Sequence, residues 1–159
     1  DEAKRLFQDA YDIISTEEAQ EEQQNVKKEF KIYNLDIVEN LLPPCIKIIN
    51  NGLSDGRKRS VFILTNFYRS IGKNKEEVKN LLFSWNQKNK PPLKENYIQQ
   101  QIDYIFNNKS YPPPNCDSPG YYKYFNVCFP DETCKLIKNP LSYYIRKRSS
   151  LKSRKKSNN

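Results

Sequence analysis

The sequence contains no histidine and no methionine, a single tryptophan and only four glycines among 159 residues. Without histidine there is no imidazole for a nucleophilic triad or for a mixed cysteine–histidine metal site. No run of 18 or more apolar residues occurs, so no transmembrane helix is expected. The opening stretch DEAKRLFQDAYDIIS is charged, unlike a secretory signal. Its start without methionine is what a fragment or a processed chain would show. The carboxylates Asp36, Asp55, Asp103 and Asp131 are scattered, with no D-x-D and no Walker loop, so no two-metal catalytic cluster is visible.

What the chain does have is charge and aromatic surface. The net charge is +8, unevenly spread. Residues 1–25 hold two basic and eight acidic side chains, whereas 146–159 hold seven basic and none acidic. The stretch between them is also net +7. A body that is basic without its tail favours a polyanion partner, usually nucleic acid. A solvated lysine-rich surface is the plainer alternative. Eleven tyrosines and eight phenylalanines supply faces for packing or for stacking on bases.

Apolar spacing divides the chain. Residues 1–25 are expected to form an acidic helix or a loosely held linker. Phe30, Tyr33, Ile37 and Leu41 recur at threes and fours, which predicts a helix over 26–42, stopped by Pro43-Pro44. A short helix is expected from Cys45 to Asn51-Gly52. Residues 57–71 form an apolar-rich helix closed by Gly72. Asn74 with Glu77 makes a capping-box start for the next helix, which carries Val78, Leu81, Leu82 and Trp85. Residues 94–106 form an amphipathic helix with Ile98, Ile102 and Ile105 on one face and Tyr97, Gln101 and Tyr104 on another. Residues 110–134 hold five prolines and three of the four cysteines, so neither a long helix nor a central strand fits there. One more helical turn is expected over 138–145, and 146–159 is expected to be a disordered basic tail.

Cys45, Cys116, Cys128 and Cys134 are spaced C-x70-C-x11-C-x5-C. Disulfides, a zinc site, an iron–sulfur cluster and unrelated buried thiols all remain open on spacing alone. Nothing indicates secretion, and the close C-x2-C pairs usual for zinc are missing. Clusters tolerate wide spacing.

The sequence around the cysteines narrows this. Leu42-Pro43-Pro44-Cys45-Ile46-Lys47 and Tyr111-Pro112-Pro113-Pro114-Asn115-Cys116 resemble the first and second cysteine segments in the C-terminal iron–sulfur domain of the archaeal and eukaryotic DNA primase large subunit. Asn66-Phe67-Tyr68-Arg69-Ser70-Ile71-Gly72 and Gln101-Ile102-Asp103-Tyr104-Ile105 are similar to internal segments of that family. Lys138-Asn139-Pro140-Leu141-Ser142-Tyr143-Tyr144 is similar to its closing pattern, and Cys128 and Cys134 stand where its third and fourth ligands fall. The resemblance covers about 40–145. Tyr104 stands where a histidine is common, and Arg57-Lys58-Arg59 replaces a stretch often rich in Asn, His and Arg.

The resemblance implies a mostly α domain over 26–145, with two helical lobes joined by a [4Fe–4S] cluster and a Pro/Tyr-rich irregular segment. Cys45, Cys116, Cys128 and Cys134 would be its ligands. It implies a noncatalytic module that binds single-stranded DNA template and the initiating nucleotide or RNA/DNA primer 5′ end, beside a catalytic small primase subunit. The setting implied is intracellular, in cytoplasm or nucleoid for an archaeal-like cell or in the nucleus for a eukaryote, with no membrane partner. The family's N-terminal docking domain is not recognisable in 1–25. Residue type nominates Arg57, Lys58, Arg59, Arg69 and Lys73 for phosphates, and Tyr97, Gln101 and Tyr104 for bases. The competing expectations are a zinc-stabilised four-cysteine nucleic-acid module unrelated to priming, and an independent redox protein.

Overall fold

The computed structural model describes residues 30–158. The chain divides into two units, Asp1–Lys31 and Ile32–Asn159, and all the regular structure of the described residues belongs to the second. The expected acidic N-terminal segment lies outside the described residues.

Five α-helices and two short 3₁₀ turns make up the regular structure of the described residues, and no strand occurs among them. Helix α1 is Pro44–Asn50, α2 is Arg57–Ser70, α3 is Lys75–Asn86, α4 is Glu95–Asn107 and α5 is Pro140–Ser157. The mostly α class expected from the sequence is therefore observed.

Helix α2 is the centre, packing against α3, α4 and α5. Its Val61, Ile63, Leu64 and Phe67 are fully buried, so apolar side chains point to more than one side, as a helix with neighbours all round requires. Val78 and Leu82 of α3 and Ile98 and Ile102 of α4 close the same core. The capping box forms as expected: Asn74 Oδ1 accepts from the Glu77 amide at 2.9 Å, and Glu77 Oε2 accepts from the Asn74 amide at 2.8 Å. Two orphan amides are thereby satisfied at the start of α3. Trp85 of α3 is buried, and its indole N–H donates to the Ile49 carbonyl of α1 at 2.7 Å.

Two expectations fail. The helix expected over 26–42 is not formed in its described part, which runs extended to a 3₁₀ turn at Glu39–Leu41. The Tyr33 and Leu35 amides donate to the Ser70 and Ile71 carbonyls at 2.8 and 2.9 Å. The open carbonyls at the end of α2 thus take the place of an internal helical ladder. Gly72 sits at φ +101°, and a Cβ there would strike the Tyr33 carbonyl oxygen. The Tyr144 hydroxyl fixes the next stretch by accepting from the Val38 amide at 3.0 Å and donating to the Asp36 carbonyl.

The segment from 146 expected to be disordered is the outer part of α5, which continues to Ser157. It contains no Pro or Gly to stop it and is rich in arginine and lysine, which are good helix formers. Between α4 and α5 the irregular expectation is observed, with only the 3₁₀ turn Thr133–Leu136. No helix of the described residues is long and apolar enough to cross a membrane.

Candidate metal centre and nucleic-acid interface

Pro44 takes the first position of α1, where its missing N–H costs nothing, and so sets Cys45 in the first helical turn. Cys116 is held by its amide, which donates to the Lys138 carbonyl at 2.7 Å. Cys128 follows buried Val127 and Asn126, the latter at φ 59°, a left-handed conformation that asparagine tolerates. Cys134 lies in the Thr133–Leu136 turn, and its amide donates to Asp131 Oδ1 at 3.1 Å. The other oxygen of Asp131 accepts from the Tyr143 hydroxyl at 2.7 Å, which ties that turn to α5.

All four cysteines line one cavity of about 190 Å³, together with Pro44, Tyr122, Phe129 and Pro130. Each cysteine is half-buried and none is in a disulfide. Burial pushes the Cys45 thiol well up, with the facing Cys116, Cys134 and Cys128 adding to it. Burial likewise raises Cys116 to about 11, with Cys128 and Cys134 next in effect. Burial also raises Cys134. These mutual effects mean that the thiols share one space, although α1 and the 110–134 segment are far apart in sequence. Among the described residues no three His, Cys, Asp or Glu side chains converge as the ligands of a single ion would. The donor set of four thiols around one apolar-walled space is one that a four-cysteine metal group, a zinc ion or an iron–sulfur cluster, can use.

The second site surrounds the start of α2. Asp55, Arg57, Lys58, Arg59, Leu93 and Tyr124 line a cavity of about 240 Å³. The first turn of α2 carries no acidic residue, so three cations stand at the positive end of the helix dipole, an arrangement that an external anion relieves. Gly56 precedes them at φ +76°, and a Cβ there would strike the Phe125 ring. Arg59 donates to the Gly120 carbonyl and lies 5.2 and 5.6 Å from the ring centroids of Tyr124 and Tyr121. Arg57 donates to the Pro91 carbonyl. Lys58 Nζ stands 5.2 Å from the Tyr97 ring, linking the starts of α2 and α4. Tyr97 is half-buried and its hydroxyl pKa is raised by burial. Gln101 is half-buried and Tyr104 is 66% exposed on the same helix.

The structure thus brings Arg57, Lys58, Arg59 and Tyr97 together. Arg69 and Lys73 belong to the other end of α2, roughly 18 Å along its axis from Arg57. Arg69 spends its guanidinium on the Ile105 and Asn108 carbonyls at 2.5 and 3.1 Å, over the Phe106 ring at 4.9 Å, and so caps the end of α4. Burial lowers its pKa. Lys73 is half-buried just past Gly72. Sequence reasoning does not single out Tyr121 and Tyr124. Their only signal there is the aromatic density of 121–125, since their partner Arg59 lies about 60 positions away.

A helical domain with a four-thiol cavity and a basic, tyrosine-edged pocket is the class defined by this geometry. The family model for the C-terminal domain of the eukaryotic and archaeal DNA primase large subunit matches residues 35–119. The DNA primase large subunit PriL of Methanococcoides burtonii is 34% identical over 142 residues, covering 85% of this chain and 37% of that relative. PriL of Halobacterium salinarum is 29% identical over 114 residues, covering 68% of this chain and 30% of the relative. No solved structure matches the chain. The chain belongs to the family formed by the C-terminal domain of the DNA primase large subunit. It spans about a third of the length of the curated relatives it matches.

Proposed function

We propose that the chain is the noncatalytic, nucleic-acid-binding part of a DNA primase large subunit. In this reading Arg57, Lys58 and Arg59 take phosphates of the initiating nucleotide or of the primer 5′ end. Tyr97, Gln101 and Tyr104 face template bases, with Tyr121 and Tyr124 flanking Arg59. A catalytic small subunit makes the primer. The observation that carries the reading is the cationic first turn of α2, open to a cavity and edged by tyrosines, in a chain of this family.

Cys45, Cys116, Cys128 and Cys134 hold a [4Fe–4S] cluster, whose contribution when bound is to join α1 to the irregular 110–134 segment, far from it in the chain. The resemblance of the cysteine segments to the family's iron–sulfur domain supports a cluster over a mononuclear zinc ion, and all four thiols line one cavity. The zinc-stabilised module unrelated to priming is not favoured, because the family match points to priming. Two measurements test the reading. Anaerobically purified protein should be brown and hold about four iron and four sulfide per chain; stoichiometric zinc without sulfide would overturn the cluster. A 5′-triphosphate oligonucleotide should outcompete the same oligonucleotide with a 5′-hydroxyl, and equal competition would remove the assigned role of the Arg57–Arg59 pocket.

A further inference from the structure

Helix α5 leaves the core after Tyr144 and runs on to Ser157 with every residue from Ser149 exposed. Nothing in the apolar pattern explains that outer part. No acidic side chain occurs between Glu132 and residue 159. Among the described residues the ion pairs are Lys75–Asp103 and Lys135–Glu132, so no cation of α5 has a carboxylate partner there. A helix that is polar all round and lacks i, i+4 ion pairs is not stabilised by its own side chains, and a polyanion laid along it would offset its charge.

The polar groups are sorted by face. Arg148, Lys152, Lys155 and Lys156 fall at i, i+4, i+7 and i+8 and make one stripe. Ser149, Ser153 and Ser157 make another, and they turn inward: Ser153 Oγ donates to the Ser149 carbonyl and Ser157 Oγ to the Ser153 carbonyl, each at 3.2 Å. Lys147, on the side facing the core, is engaged over the Tyr143 ring at 5.6 Å. Among the described residues Lys152, Lys155 and Lys156 of the stripe have no carboxylate partner. Its members at i and i+4 repel one another; Arg148, at its inner end, is half-buried, and its Nε is buried without an acceptor among the described residues.

From this we infer that the stripe Arg148/Lys152/Lys155/Lys156 is a second nucleic-acid contact, distinct from the Arg57–Arg59 pocket, which lies along the phosphate backbone without reading sequence. The inference rests on the proposed nucleic-acid binding. The stripe is roughly 12 Å long, the span of about three or four phosphates at duplex rise. It is cationic without interleaved aromatic rings, so it suits phosphates rather than bases.

The test uses the full chain and a 20-nucleotide single-stranded DNA without a 5′-phosphate, titrated across salt concentrations. Changing Arg148, Lys152, Lys155 and Lys156 together to Gln should flatten the plot of log affinity against log salt by about 3 and weaken low-salt binding about tenfold or more. Changing the three lysines to arginine should keep the parent slope, as should Ser149→Ala with Ser153→Ala. An unchanged slope in the glutamine variant overturns the inference. So does an unchanged slope accompanied by lost binding to polyglutamate, which would make the stripe a dock for an acidic protein. A variant with Arg57, Lys58 and Arg59 changed to Gln should still bind this DNA through α5. If the parent itself does not bind at low salt, the nucleic-acid reading fails together with the stripe. If only the stripe variant matches the parent, that reading stands and the second contact does not.

Discussion

Residues 57–107 and 108–139 are held together by different means. The first region is three helices that bury aliphatic side chains against one another, and its backbone bonds close within each helix. The second has almost no regular structure, so its polar backbone must find partners singly. It finds them through a few anchors. Tyr122 is 1% exposed and gives its hydroxyl to the Pro114 carbonyl at 2.8 Å. The Cys116 amide reaches Lys138, and Phe125 is wedged against Gly56. A region built by area loses stability by degrees when trimmed. One built by anchors loses it abruptly, and it gains most from a group that joins its loops. Three of the four cysteines lie in the second region and one in α1.

The largest effect is expected at Cys45, the single thiol outside the irregular region. With the proposed cluster bound, Cys45→Ser should lower iron content and destabilise the protein by on the order of 4 kcal/mol or more. Hydrogen exchange should show 108–139 losing protection before α2 to α4 do. Uniform loss across both regions would mean that they form one cooperative unit. A smaller effect is expected at Tyr122. Tyr122→Phe keeps the ring buried but leaves the Pro114 carbonyl without its partner, at a cost of about 1–2 kcal/mol. Faster proteolysis confined to 108–139 is the expected signature, and an unchanged digestion pattern would show that the ring alone is the anchor. The smallest effect on stability belongs to Tyr104, which is mostly exposed. Tyr104→Ala should shift unfolding by less than about 0.5 kcal/mol. It should nevertheless weaken single-stranded binding by about 1–3 kcal/mol with little change in salt slope. If binding is unaffected while iron is retained, Tyr104 has no part in base contact.

The two regions also differ in how far they can be read from residues. Helices α2, α3 and α4 are legible because their apolar spacing and the Asn74–Glu77 box are local signals, complete within a few turns. The extended run before α1 is not, because Tyr33, Ile37 and Leu41 at threes and fours look helical whether or not a helix forms. The bonds that hold the run go instead from Tyr33 to Ser70, from Leu35 to Ile71, and between Tyr144 and both Val38 and Asp36, all distant in sequence. The length of α5 escapes for the opposite reason: a segment polar on every side has no period to detect. At the basic pocket, Arg57, Lys58 and Arg59 are visible as a charge run. The pairing of Arg59 with Tyr121 and Tyr124 depends on a chain return that composition does not encode. Arg69 is a cation nominated by type that the fold places at the far end of α2, over Phe106 and bonded to the Ile105 and Asn108 carbonyls at the end of α4.

Trp85 is the single tryptophan of the sequence, and its indole N–H is bonded to α1, the helix that begins at Pro44-Cys45. Intrinsic fluorescence of this chain is therefore an optical gauge of one joint. While α1 stays seated, the indole is in an apolar setting with a fixed acceptor, and its emission is blue-shifted. When α1 lifts away, the ring meets water and the emission moves to the red. No label has to be introduced, and no second indole blurs the signal. Followed alongside the visible absorbance expected of the proposed cluster, this emission would give the order in which the cluster and the α1 joint are lost.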